Sequence, residues 1–160
     1  MNTHLRKQQG FTLIELGIVL AIMAILLTLS IVSLSNIQDQ TYISKSLEIL
    51  LSDIKMQQNK AMNGETDGET STYRYGIYFE GNTYTLFRGD TYNPSDSYNF
   101  TVTLDGQLSF SSVLFTNSEI VFEKGSGEIL NFTEGNNTFS ISDGTTVSMN
   151  SLGVFTQIQE

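Results

Sequence analysis

The chain of 160 residues lacks cysteine and tryptophan, and it has a single proline and a single histidine. Without cysteine it has no disulfide, no thiol nucleophile and no cysteine-ligated zinc. One histidine, His4, cannot make a multi-histidine metal site and argues against a histidine-based catalytic triad. Basic residues are also scarce, with 8 Lys+Arg against 17 Asp+Glu and a net charge of −9. That balance disfavours nucleic-acid binding, which needs clustered cations.

Apolar residues are concentrated near the start of the chain. Residues 11–34 contain 18 apolar residues out of 24. As a helix this segment is roughly 36 Å long, enough for a hydrocarbon layer of about 30 Å. Arg6 and Lys7 precede it, and positive charge beside a span tends to stay cytoplasmic. The sequence therefore predicts a single span with the N-terminus inside and the C-terminus outside.

Two common kinds of N-terminal segment fit this start poorly. A secretory signal has an apolar core of about 7–15 residues and a small-residue cleavage site, whereas this run is longer and no such site closes it before Asn36. A plain membrane anchor fits the length but leaves Glu15 unexplained. A carboxylate in a membrane helix costs on the order of 2–3 kcal/mol at the bilayer centre and less near an interface. Either Glu15 lies near the head-group level, where its charge is tolerated, or another group pairs with its carboxylate.

A stretch across this junction reads KQQGFTLIE and resembles the type IV prepilin signature. The resemblance rests on Gly10, on the aromatic Phe11 after it, and on Glu15 four residues further on, at the start of a long apolar run. It implies that a prepilin peptidase cuts between Gly10 and Phe11 and that Phe11 is then N-methylated. The apolar run stays with the mature protein, which accounts for its length and for the missing conventional site.

The resemblance also implies a partner for Glu15. After the cut, Phe11 carries a free, positively charged amine, and residues four apart share one face of a helix. In a low-dielectric environment opposite charges attract far more strongly than in water. The family implies that the Phe11 amine of an incoming subunit meets Glu15 of an assembled one and sets the register between them. Gly17 either allows close helix approach or is merely tolerated.

The remainder of the chain predicts an α+β fold. Residues 35–63 have apolar positions at helical spacing, so they continue the helix as an amphipathic half, and Gly64 with the polar run after it ends the helix. From residue 72 the pattern changes to about nine short strands separated by turns, namely 73–80, 83–88, 98–104, 107–110, 119–123, 129–133, 138–142, 145–149 and 153–157. The Gly81-Asn82 pair between the first two predicts a hairpin. We therefore expect a long helix, transmembrane in its first half, packed on an antiparallel β-sheet domain, which is the pilin fold.

The β-rich part carries a second, narrower resemblance. Residues 122–127 (FEKGSG), the turn at Asp143-Gly144 and residues 147–154 (VSMNSLGV) are similar to the C-terminal region of GspH/FimT-type minor pseudopilins and minor pilins. This resemblance covers residues 72–157. The absence of cysteine also excludes the disulfide-closed C-terminal loop that many major pilins have.

Other kinds of site are less well supported by the residues. No nucleophile–base pair, phosphate-binding glycine loop or metal cluster is recognisable, so we expect no enzyme activity, no cofactor and no metal. Oxygen-bearing side chains crowd one loop, where either a Ca²⁺ site or ordinary turn polarity fits them; they are Asp90, Asn93, Asp96 and Asn99. DNA capture through dispersed cations is the alternative binding function, and those cations are Arg74, Arg88 and Lys124.

The combined expectation is a minor pilin or pseudopilin of a type IV pilus or a type II secretion pseudopilus. Its segments are a leader at 1–10, a transmembrane helix half at 11–34, an amphipathic half at 35–63 and a globular domain at 72–157. Its partners are the prepilin peptidase, other subunits, the inner-membrane assembly platform and the membrane itself. The alternative is a pilus-associated module that captures DNA or a surface ligand.

Overall fold

The computed structural model describes residues 10, 12–66, 68, 70–105 and 108–159, with the side chains of residues 28–43 and 157 left out. Within these residues it has one α-helix, eight β-strands and a short 3-10 turn. In chain order they are α1 (Leu13–Asn63), β1 (Tyr75–Glu80), β2 (Thr83–Arg88), β3 (Phe100–Thr103), β4 (Phe110–Val113), the turn Thr116–Ser118, β5 (Glu119–Phe122), β6 (Thr138–Ile141), β7 (Thr146–Met149) and β8 (Phe155–Gln159). The α+β class is confirmed.

The strands of the predicted antiparallel β-sheet domain form two antiparallel sheets of four strands each. Sheet A has the order β3-β2-β1-β5, and sheet B has the order β4-β6-β7-β8. Residue contacts divide the chain into two compact units, Met1–Gln40 and Thr41–Glu160, so the boundary falls inside α1. The second unit contains both sheets and the last part of the helix.

The hairpin β1–β2 is formed as its sequence indicates. Both strands are rich in aromatic and β-branched residues, which favour a pleated and packed surface. A two-residue turn joins them, and its first residue, Gly81, has a φ of 58°. A positive φ at that position suits the right-handed twist of a hairpin and favours glycine. Glu80 pairs with Thr83 across this turn, which sets the register of the whole hairpin.

The second part of α1 contributes to the core of the larger unit. Leu50, Ile54 and Ala61 have no exposed surface, and they lie at helical spacing on one face. They join a cluster of sheet residues with large, fully buried side chains, which are Tyr75, Tyr84, Phe122, Phe139, Ile77, Ile120, Met149 and Val147. In residues 44–63, whose side chains are described, α1 thus has one buried apolar face.

Gly64 ends the helix where the sequence places its end. Its φ is 63°, its amide donates to Ala61 O at 3.3 Å, and the amide of Glu65 donates to Lys60 O at 3.0 Å. These two bonds make a Schellman motif, in which a glycine in the left-handed conformation satisfies the last carbonyls of a helix. The predicted stop after Asn63 is confirmed.

Two predicted strands begin two residues later in the structure, at Tyr75 and at Phe100. Three others are displaced or absent. Residues 129–133 form turns, apart from one bridge between Ile129 and Phe122, because Asn131 has a φ of 54° and directs the chain away from β5. The strand predicted at 107–110 instead runs from Phe110 to Val113, and Gln107 lies outside the described residues. The last strand starts at Phe155 rather than at 153, because Gly153 closes a turn back to Asn150.

Candidate functional site

The residues that the prepilin resemblance singles out lie before α1 and in its first turn. Gly10 is exposed, and a Cβ at this position would meet no other atom within 4 Å. Arg6, Lys7 and Phe11 lie outside the described residues. The structure thus describes Gly10 and Glu15 from this group.

Glu15 is bonded to the residue that precedes the helix. Its Oε2 accepts hydrogen bonds from Thr12 N and from Thr12 Oγ1, both at 2.9 Å. In return the amide of Glu15 donates to Thr12 Oγ1 at 3.3 Å. This reciprocal arrangement is a capping box, which the sequence T-L-I-E allows and which satisfies two amides that have no partner within the helix. Sequence reasoning missed this role of Thr12, although the S/T-x-x-E spacing is a readable signal for it.

The helix around Glu15 presents apolar side chains on all its faces. Every large apolar side chain of residues 13–27 is exposed, from 46% at Val19 to 89% at Leu13. The other members of this set are Ile14, Leu16, Ile18, Leu20, Ile22, Met23, Ile25, Leu26 and Leu27. A continuous apolar surface of this kind marks a site of contact with a protein or a membrane. Gly17 is exposed too, and a Cβ there would meet nothing within 4 Å.

The transmembrane prediction concerns residues 11–34. Among the residues that the structure describes, no helix has the length and apolar character needed to cross a membrane. Phe11 and the side chains of residues 28–34, which belong to the predicted span, lie outside the described residues.

Two adjacent glutamines, Gln57 and Gln58, bind the last part of α1 to the sheets and to the C-terminal loops. The Nε2 of Gln57 donates to Gly76 O at 2.7 Å and to Phe87 O at 3.1 Å, on β1 and β2. The Nε2 of Gln58 donates to Gly127 O at 2.8 Å and to Leu152 O at 2.7 Å. Both glutamines are buried, so these bonds compensate the cost of removing their amides from water.

The two glycine-containing motifs at residues 122–127 and 147–154 meet at Gln58. Gly127 has a φ of 71°, and a Cβ there would collide with Met62. Gly153 has a φ of 70°, and a Cβ there would collide with Gln58 Nε2 and approach Phe122 to 3.0 Å. Both positions therefore favour glycine on two counts, the backbone conformation and the close approach of α1. These motifs position the helix on the globular unit.

Lys55 and Asp53 make two further contacts between α1 and the rest of the larger unit. Lys55 Nζ donates to Gln58 Oε1 at 3.0 Å and to Gly153 O at 2.8 Å, and burial lowers the pKa of this lysine. Asp53 Oδ2 accepts a hydrogen bond of 2.6 Å from the hydroxyl of Tyr84. Burial and that bond raise the pKa of Tyr84 well above its ordinary value, so its proton stays on the phenol.

The arginines considered for DNA binding are engaged within the chain. Arg74 forms a bidentate pair with Glu123, at 2.9 and 2.8 Å, and its Nη1 lies 2.7 Å from Asp90 Oδ1. The guanidinium of Arg88 lies 3.2 Å from the ring centroid of Tyr98 and 4.3 Å from that of Tyr73. Both guanidinium groups therefore have partners within the chain, carboxylates for Arg74 and aromatic rings for Arg88.

The polar loop considered for Ca²⁺ uses its side chains in turns. Asn93 Oδ1 accepts from the amide of Ser95 at 3.1 Å, and Asp96 Oδ1 accepts from the amide of Tyr98 at 2.9 Å. Such bonds, from a side-chain oxygen to an amide two residues on, are typical of Asx turns. Asn99 Nδ2 donates to Asn93 O at 2.8 Å. No group of three or more His, Cys, Asp and Glu within the described part of the chain is arranged to hold a metal ion.

Comparison with known families gives one match. Residues 5–31 match the family model described as the prokaryotic N-terminal methylation motif. This is a type IV prepilin-like signal, and it supports a type IV pilin-like protein. No curated protein and no solved structure matches the chain.

Proposed function

We propose that the chain is a structural subunit of a filament, either a minor pilin of a type IV pilus or a pseudopilin of a type II secretion system. The observation that carries this proposal is the N-terminal methylation motif at residues 5–31. Within it, Glu15 lies in the first turn of α1 among exposed apolar side chains. The narrower identity, that of a GspH/FimT-type minor subunit, is supported by the sequence resemblance of residues 122–127 and 147–154 to the C-terminal region of such proteins.

Processing is the first step of the proposed function. A prepilin peptidase hydrolyses the peptide bond between Gly10 and Phe11 and releases residues 1–10 with Arg6 and Lys7. The amine of Phe11 is then methylated. Gly10 suits the cut because it is exposed and no other described atom crowds it within 4 Å. Removal of the leader leaves an apolar helix that begins with a cationic group.

Anchoring is the second step. The apolar side chains of residues 13–27 need a covering that the described part of their own chain does not provide. We place this segment in the cytoplasmic membrane before assembly, with the globular unit outside. Within the filament, apolar segments of neighbouring subunits provide the same covering, so transfer from lipid to filament exchanges one apolar environment for another.

Glu15 directs assembly in the third step. The Phe11 ammonium of an incoming subunit approaches the Glu15 carboxylate of a subunit that is already in place. In an apolar surrounding an isolated charge is costly and a charge pair is favoured. The pair therefore defines one axial position for each new subunit. The globular unit has a structural rather than an enzymatic role in this proposal.

The test combines mass spectrometry with one substitution. The parent protein isolated from membranes should begin at Phe11 and carry one added methyl group. Glu15→Leu should be cut at the same bond but should enter filaments at least roughly tenfold less often, because it lacks the anionic partner. Glu48→Leu is a matched control, since it removes an exposed carboxylate from the other part of the same helix. An uncut parent, or a Glu15→Leu variant that assembles like the parent, would contradict the proposal.

A further inference from the structure

We propose that Thr12 is a positioning residue for subunit assembly, which holds the Glu15 carboxylate by one oxygen and leaves the other oxygen to receive the ammonium group of another subunit. This inference rests on the proposed function. It assigns a role to a residue that the prepilin resemblance did not single out.

The hydrogen bonds of the first turn distinguish the two oxygens of the carboxylate. Both bonds from Thr12, one from its amide and one from its hydroxyl, go to Oε2 at 2.9 Å. Since the Oε2 atom already accepts two donors, Oε1 is the better placed oxygen for a third. In the proposed pair of Glu15 and the ammonium group, Oε2 thus bonds to Thr12 of its own chain, and Oε1 receives the ammonium group of the other subunit.

A held carboxylate has two advantages in an apolar environment. A glutamate side chain loses up to about 2 kcal/mol of rotamer entropy when it is fixed. Thr12 fixes it in advance, so this cost does not fall on the assembly step. Two charge-assisted hydrogen bonds also compensate part of the cost of keeping the carboxylate charged away from water.

A different role for Thr12, that of helix cap alone, has to be separated from positioning. The Oγ1 atom of Thr12 accepts a hydrogen bond from the Glu15 amide at 3.3 Å, which is the capping contact. The same hydroxyl donates a hydrogen bond to Glu15 Oε2, which is the positioning contact. Glycine caps a helix about as well as threonine, yet it has no hydroxyl. Thr12→Gly therefore retains most of the capping and removes the side-chain donor to Glu15.

The experiment uses full-length variants in a cell that provides the peptidase and the assembly machinery. The variants are Thr12→Val, which has the same shape without the hydroxyl, Thr12→Gly, and Thr12→Ser, which restores the hydroxyl; Glu15→Leu serves as the reference. The amount of each variant in filaments is divided by the amount that is cut after Gly10 and retained in membranes. This ratio removes differences in expression and processing.

We expect Thr12→Val and Thr12→Gly to lower the ratio by roughly fivefold or more, in line with the loss of a hydrogen bond to a charged group, and Thr12→Ser to stay within about twofold of the parent. If Thr12→Gly assembles like the parent, the residue acts as a cap and the inference is wrong. If Thr12→Ser is as impaired as Thr12→Val, the hydroxyl is not the responsible group and the inference is also wrong. If Glu15→Leu also assembles normally, the proposed function is wrong too. If Glu15→Leu is impaired while Thr12→Gly is not, only the inference about Thr12 is wrong.

Discussion

The two ends of α1 carry similar apolar side chains in opposite environments. Ile22, in the first part, is 52% exposed, whereas Ile54, in the last part, is fully buried against the sheets. The last part receives its covering from its own chain. The first part has no such covering from the described residues, and the proposed function provides it from membrane and neighbouring subunits. The apolar side chains of one helix thus lie in two different environments, exposed in its first part and buried in its last part.

Polar side chains differ between the same two regions. Glu15 bonds to Thr12, three residues away, and its contacts are exposed. Gln58 bonds to carbonyls that lie 69 and 94 residues further along the chain, and the glutamine is buried. The early contact completes a helix end, while the later ones attach the helix to the rest of the larger unit.

The strongest test of this comparison is one substitution made in both regions. Ile54→Ala should lower the free energy of unfolding of the globular unit by about 2–5 kcal/mol, because it opens a cavity in a closed core. Ile22→Ala should change that free energy by less than about 0.5 kcal/mol. Denaturant unfolding of the full chain in detergent, followed by tyrosine fluorescence, measures both. Equal losses for the two variants would show that the first region is packed by its own chain.

A second test concerns the glycine that accommodates Gln58. Gly125→Ala, at a φ of 79° with open space around it, should cost about 1–2 kcal/mol from backbone strain alone. Gly153→Ala has the same kind of backbone and in addition meets Gln58 and Phe122, so it should cost a further 1–3 kcal/mol or so from overpacking. The difference in unfolding free energy between the two variants isolates the close approach of α1. A difference near zero would mean that the loop moves away from the helix freely.

The smallest expected effect is a pH dependence that belongs to the globular unit. Hydrogen bonds from Arg74, and its positive charge, hold the pKa of Glu123 below its ordinary value of 4.5. Because the folded-state pKa is the lower one, this stabilisation is present above pH 4.5 and is lost as the pH falls through the folded-state value. Since the pair is partly exposed, Glu123→Gln should cost less than about 1 kcal/mol at pH 7.

Unfolding measured at a series of pH values checks this last prediction. The difference between the parent and Glu123→Gln should shrink below pH 4.5, where the parent carboxylate becomes protonated. A difference that stays constant down to pH 2 would show that the pair contributes through packing rather than charge. The proposed assembly contacts of Glu15 and Thr12 lie in the other compact unit, so Glu123→Gln should leave the amount of protein in filaments unchanged.

Local patterns accounted for most of the correct fold predictions. The stop at Gly64, the hairpin around Gly81 and the amphipathic spacing of Leu50, Ile54 and Ala61 each depend on residues that are close in sequence. The prediction of a strand at 129–133 was wrong because Asn131 takes a left-handed conformation that the neighbouring residues do not indicate. The partners of Arg74 were not predicted either, because Glu123 and Asp90 are distant from it in sequence.

By itself the sequence determined the α+β class, the helix end at Gly64 and the methylation motif with Glu15, because propensity, turn chemistry and a short motif act over a few neighbouring residues. Only the tertiary structure decided the division into two sheets, the use of Arg74 and Arg88 within the chain, and the meeting of Gly127 and Gly153 at Gln58. Those features depend on which distant segments come into contact, because a buried side-chain amide donates to whichever carbonyls the packing brings within hydrogen-bond distance.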